Sequence, residues 1–173
     1  MIVGKPLLTT RQIQSKVKEL AEHISQDYKG KDIIAVGILK GAFMFFSDIV
    51  RAIRIPLKID FIIASSYVKT ETSGEVKIFY DTREPVADKD VLLIDDIVDS
   101  GITLNHIREG MLAKGPKSLR TCVFLDKKER RIEKVPLDYI GFEIPNEFVV
   151  GYGLDYEGQF RNVPYISTFK KKA

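Results

Sequence analysis

The chain has 173 residues, one cysteine, a formal net charge of +3, 45% hydrophobic residues and 29% charged residues, which suits one ordinary domain with a sizeable core. The single cysteine excludes an internal disulfide framework and a cysteine zinc site. The basic residues are scattered, with Lys170, Lys171 and Lys172 as a solvated tail, and this argues against nucleic-acid binding while mildly favouring anionic ligands.

Along the chain, Thr9 or Thr10 can cap a first helix, with Ile13, Val17, Leu20 and Ile24 at helical spacing and Gly30 beyond its end. A buried strand is expected over 33–39, an apolar helix over 42–53 and a strand over 57–64. The polar segment 68–74 breaks this rhythm and predicts a mobile loop. A core strand follows over 91–94, then a helix over 102–113 ended by Gly115-Pro116, then a strand over 119–125 in which Cys122 is a buried, inert thiol. The last third is richer in Gly, Pro and aromatics, and predicts short strands appended to the sheet rather than a second domain. His23 and His106 fall on helices as surface or packing residues. Met1 to Leu8 lacks the apolar core of a signal peptide, and no run approaches the ~20 apolar residues of a membrane helix. A cytoplasmic enzyme or regulator is expected. Its fold class is α/β, a mainly parallel central sheet flanked by helices.

The most informative segment is Val91-Leu92-Leu93-Ile94-Asp95-Asp96-Ile97-Val98-Asp99-Ser100-Gly101-Ile102-Thr103-Leu104. A strand ends on paired acids, and a third acid, a glycine and two hydroxyl residues lead into a helix. Ligands of open α/β sheets bind beyond the carboxyl ends of the strands. Free N–H groups at a helix start suit a phosphate, Gly101 permits close backbone approach, and Ser100 and Thr103 can donate hydroxyl hydrogen bonds. Asp95 and Asp96 would repel a phosphate, so sugar hydroxyls or a hydrated Mg²⁺ are their natural partners. Neither a P-loop nor a G-x-G-x-x-G follows the first strand.

This segment resembles the phosphoribosyl-pyrophosphate signature of the type I phosphoribosyltransferases. Leu39-Lys40-Gly41 stands where that family has its pyrophosphate loop, and Ser65-Ser66-Tyr67 where its catalytic loop opens. Gly141-Phe142-Glu143-Ile144-Pro145, Phe148, the run 149–156 and Phe160-Arg161 are similar to the base-binding hood of the hypoxanthine-guanine members, especially the short bacterial ones. The likeness covers nearly the whole chain. It implies a single domain, 1–173, with the hood largely from 127–173 and the N-terminal segment. It also implies a homodimer or homotetramer.

The resemblance further implies transfer of a 5-phosphoribosyl group from phosphoribosyl pyrophosphate to hypoxanthine or guanine, giving IMP or GMP and pyrophosphate, with Mg²⁺ as cofactor. Asp99 would accept the proton of the base. Asp95 and Asp96 would hold the ribose hydroxyls directly or through Mg²⁺, and Ser100, Gly101 and Thr103 the 5′-phosphate. Lys40, Gly41, Ser66, Tyr67 and Arg161 would meet the pyrophosphate, and Asp155 would support a second Mg²⁺. Lys127 would donate to the 6-oxo group, Phe148 would stack on the base, and the Val149 backbone would read its far edge. The Leu39–Lys40 bond is cis in many relatives. Two positions depart from the pattern. Asp95 stands where Glu is common, so its reach is one methylene shorter, and Ile102 stands where some relatives have Lys. The rival readings are a related transferase preferring xanthine and a regulator that keeps the phosphoribosyl site but binds nucleic acid.

Overall fold

The computed structural model describes residues 5–67 and 75–169, with only the backbone of Ser65, Ser66, Tyr67 and Glu75. The expected loop 68–74 and the lysine tail 170–172 lie outside the described residues.

The first helix, α1 (Thr10–Asp27), starts where a capping box closes it. Thr9 Oγ1 accepts from the Gln12 N–H at 3.3 Å, and Gln12 Oε1 accepts from the Thr9 N–H at 2.9 Å. Its buried stripe, Ile13, Val17, Leu20, Ala21 and Ile24, follows the helical period. The main sheet has the order β4-β3-β2-β5-β6-β7. Its strands are β2 (Ile33–Leu39), β3 (Lys58–Tyr67), β4 (Glu75–Tyr80), β5 (Asp90–Val98), β6 (Ser118–Asp126) and β7 (Tyr139–Glu143). All neighbours pair in parallel except β4, which runs antiparallel to β3 along one edge. This is the expected fold class, with α1 and α2 (Phe43–Ala52) on one face and α3 (Ile102–Ala113) on the other.

Period-two alternation in the strands divides the core. Leu92 and Ile94 of β5 pack with α1 and α2, whereas Val91 and Leu93 pack with Leu104, Ile107 and Met111 of α3. Each fully buried Leu or Ile contributes roughly 1.5–3 kcal/mol, so a one-residue slip of β5 is strongly disfavoured. The same register sends Asp95 toward the α3 face and Asp96 toward the α2 face.

Several strand boundaries differ from the sequence expectation. β5 runs four residues past Ile94, through both acids to Val98, because its ladder with β6 continues to the Val98–Asp126 pair. β3 runs through Ser65, Ser66 and Tyr67, which pair with Lys77, Val76 and Glu75 of β4. Ser66 and Tyr67 are therefore ladder residues, not the opening of a loop. β4 escapes the sequence reading because it is an exposed edge strand without a buried run. A second, antiparallel sheet joins both chain ends in the order β1 (Pro6–Leu8), β9 (Ile166–Thr168), β8 (Val149–Val150). Among the described residues no helix is long and apolar enough to cross a membrane.

Candidate active site

A cleft of about 530 Å³ opens at the carboxyl ends of β2 and β5, roofed by the segment around β8. It brings together Lys40, Gly41, Asp95, Asp96, Asp99, Thr103, Lys127, Phe148, Val149, Asp155 and Arg161. A second cavity, of about 420 Å³, shares Asp95, Asp99 and Thr103 with it and adds Ser100 and Gly101 at the start of α3. Of Ser66 and Tyr67 only the backbone is described, at the end of β3.

The start of α3 is built for an anion. Gly101 is its N-cap, with φ of +88° and no side-chain cap. The Ile102 N–H reaches Ser100 Oγ only at a long 3.4 Å. Uncapped N–H groups and the positive end of the helix dipole face the cavity. A β-carbon on residue 101 would collide with the Glu133 carbonyl oxygen, so the position requires glycine both for its dihedral and for this contact.

The loop after β2 meets the paired acids. The Leu39–Lys40 peptide bond is cis. A β-carbon on Gly41 would overlap Asp96 Oδ2, so the carboxylate lies directly against the loop backbone. A β-carbon on Gly153 would in turn strike the Gly41 carbonyl oxygen, which locks the loop against the roof. Asp95 Oδ1 accepts from the Asp96 N–H at 2.9 Å, and Asp96 Oδ1 from the Ile97 N–H at 2.9 Å. Burial and the neighbouring Asp96 hold Asp95 well above the usual carboxylate range, and burial also raises Asp96. Two acids so placed favour a partner that offsets their charge.

Asp99 lies where both cavities meet. Its Oδ2 accepts from the Arg130 guanidinium at 3.0 Å and lies 4.0 Å from Lys127 Nζ. Its Oδ1 is buried without a hydrogen-bond partner among the described residues. Lys127, 5% exposed, is the lysine that enters the cleft, and burial lowers its ammonium from the ordinary range against the pull of Asp99. Lys128 instead lies outside and pairs with Glu143. Phe148 is 52% exposed, within reach of Tyr156 and Phe169 at ring distances of 6.0 and 6.2 Å. Arg161 donates to the Gly153 carbonyl at 2.6 Å and pairs with Asp155 at 2.6 Å, while Asp155 Oδ2 accepts from the Gly158 N–H at 2.7 Å. Among the described residues no three His, Cys, Asp or Glu side chains converge as a metal cage.

Sequence reasoning missed Arg130, Arg131, Asn146 and Glu147. Arg131 donates to the Asp99 carbonyl at 3.2 Å and pairs with buried Asp126, and the other three line the cleft. For the two arginines the only available signal was the basic run around them, which reads equally well as a solvated turn, and Asn146 and Glu147 carried no signal of their own. The histidines are exposed, and Cys122 is fully buried with its thiol pushed up by desolvation.

An α/β sheet with an uncapped helix start, paired acids and a loop locked against them has its candidate site at the carboxyl ends of the strands, beside an anion-favouring helix start. The family model of the phosphoribosyl transferase domain matches residues 5–157, and the chain belongs to that family. The hypoxanthine-guanine phosphoribosyltransferase of Dictyostelium discoideum is 44% identical over 96% of this chain and 95% of its own length. The hypoxanthine phosphoribosyltransferase of Escherichia coli K12 is 44% identical over 92% of each. A crystal structure of a hypoxanthine phosphoribosyltransferase from Staphylococcus aureus is similar with a TM-score of 0.93 at 46% identity, over 97% of this chain and 92% of that one.

Proposed function

We propose that this protein serves purine salvage by moving the 5-phosphoribosyl group of phosphoribosyl pyrophosphate onto N9 of hypoxanthine or guanine. The observation that carries this reading is a pair of adjoining cavities, sharing Asp95, Asp99 and Thr103, in which an uncapped helix start, a paired-acid strand end, a half-exposed aromatic and a buried lysine come together.

In this reading the 5′-phosphate rests on Ser100, Gly101 and Thr103, and the ribose hydroxyls face Asp95 and Asp96. Lys40, Gly41 and Arg161 receive the pyrophosphate, with Ser66 and Tyr67 at the end of β3. Phe148 stacks on the purine, Lys127 donates to its 6-oxo group, and the Val149 backbone meets its far edge. N9 displaces pyrophosphate from C1 of the ribose. The C–O bond breaks as the C–N bond forms, and the proton of the base passes to Asp99 near N7. Carboxylates beside the ribose stabilise the positive charge that develops on the sugar, and Arg161 and Lys40 offset the charge of the leaving group.

The residues fit Mg²⁺. It binds through one or two carboxylates plus water and substrate phosphate oxygens, so no protein cage is needed. Asp95 and Asp96 would hold one ion and Asp155 would support a second, and the metal would neutralise the departing pyrophosphate. A cytoplasmic homodimer or homotetramer of one domain, residues 1–173, completes the reading.

The test is incubation with phosphoribosyl pyrophosphate, Mg²⁺ and a panel of bases, with products identified. IMP and GMP are expected, with no product from adenine, whose 6-amino group finds no acceptor at Lys127. Activity is expected to vanish in excess chelator and to return with Mg²⁺. Comparable turnover of adenine would sink the base assignment, and full turnover in chelator would remove the metal.

A further inference from the structure

Resting on the phosphoribosyl-transfer reading, we propose that Arg130 is a phosphate-binding residue that pairs with Asp99 and releases it when the 5′-phosphate docks. The helix start offers N–H groups and hydroxyls, but residue 102 is Ile and brings no charge. Its cavity is lined by Asp95 and Asp99, and the one cationic side chain among its described lining residues is Arg130. A phosphate monoester carries about −1.5 to −2 charges at neutral pH, so beside two carboxylates it needs such a partner.

The backbone around Arg130 is fixed while its side chain is not. The Ile132 and Glu133 N–H groups donate to the Ser100 carbonyl at 2.8 and 3.0 Å, Arg131 Nε donates to the Asp99 carbonyl at 3.2 Å, and Asn105 donates to Glu133 at 3.1 Å. These bonds clamp the segment to the start of α3. The Arg130 side chain is 54% exposed, and its link to Asp99 is a single-nitrogen contact at 3.0 Å. It lines both cavities, so a rotation about its own torsions carries the guanidinium from the Asp99 carboxylate to the phosphate position. That movement leaves Asp99, whose Oδ1 has no hydrogen-bond partner among the described residues, with only Lys127 at 4.0 Å beside it and able to face the base. Phosphate binding and readiness of the proton acceptor are thereby coupled, and the coupling is reciprocal.

The test compares wild type, Arg130→Gln and Arg130→Lys by calorimetric titration with IMP, inosine and pyrophosphate, after melting curves show that each variant is folded. Loss of one charge-assisted contact predicts about tenfold weaker IMP binding by Arg130→Gln. Arg130→Lys should recover part of that loss, and inosine and pyrophosphate should move by less than about twofold. Wild-type turnover reports on the transfer reaction separately, so failure of that reading and failure of this one give different results. Unchanged IMP affinity in Arg130→Gln, or equal weakening of IMP and inosine, would overturn the assignment to the phosphate.

Discussion

The two walls of the cleft are made in different ways. In the proposed reading the phosphate and ribose wall is the continuous stretch Asp95 to Thr103, at the end of β5 and the start of α3, backed by the Lys40–Gly41 loop after β2. Much of its chemistry is backbone: an uncapped helix start, a left-handed glycine, and a loop on which Gly41 leaves no room for a β-carbon. In the proposed reading the base wall is assembled from Lys127 after β6 and from Phe148 and Val149 at β8, while Asp155 and Arg161 in the loop beyond serve the metal and the pyrophosphate. There separate side chains do the selecting. In the proposed reading, a backbone wall tolerates little change and would decide whether transfer happens at all, whereas a side-chain wall can change one group at a time and would decide which base is taken.

The largest effect is expected where the walls meet. Asp99→Asn keeps the size of the side chain but loses the proton acceptor, so kcat should fall about 10²- to 10⁴-fold while phosphoribosyl pyrophosphate binds nearly as before. Steady-state kinetics with direct binding measures both. Nearly full kcat, or loss of binding altogether, would erase the proposed division of labour. Gly41→Ala tests the backbone wall alone. Its methyl group would strike Asp96 Oδ2, and a displacement of about 1 Å at the reacting groups costs on the order of 10²-fold. The loss should be the same for hypoxanthine and guanine, and unequal losses would contradict the separation of the walls.

On the other wall, Lys127→Met should lower kcat/KM for hypoxanthine about 10- to 100-fold through loss of a charged donor, with a smaller effect on phosphoribosyl pyrophosphate affinity. It also carries a pH prediction. Burial lowers the Lys127 ammonium from its ordinary value of 10.5, so folding disfavours the protonated form. That cost is complete below the lowered value, and is relieved as pH rises toward the ordinary one. Thermal melts should therefore show Lys127→Met more stable than wild type at neutral pH, with the difference shrinking as pH approaches 10.5. A difference that grew with pH would reverse the sign of this account. The smallest effect belongs to Phe148→Ala, which removes a stacking face worth about 1–3 kcal/mol per base and should raise KM for the base about tenfold or more. Its ring is 52% exposed, so the melting temperature should hardly move, and a large drop would make it a core residue.

From the sequence by itself came the layered α/β fold and the contiguous run from Asp95 to Thr103 that lines the cavities. Both are local: alternation and helical period report burial over a few residues, and the chemistry from Asp95 to Thr103 is contiguous. A threonine cap before α1 and the span of α3 were legible for the same reason, while the structure chose Thr9 over Thr10 and closed the box with Gln12. Local chemistry does not separate Lys127 from Lys128; the tertiary structure supplies the difference, because the end of β6 buries one in the cleft and leaves the other outside with Glu143. It also extended β5 through the acids and β3 through Tyr67, because a strand ends where its partner ends. Arg130 and its pairing with Asp99 join residues 31 positions apart, and the sheet of β1, β9 and β8 joins both ends of the chain. Such contacts depend on where the backbone returns in space, which no local pattern of residues specifies.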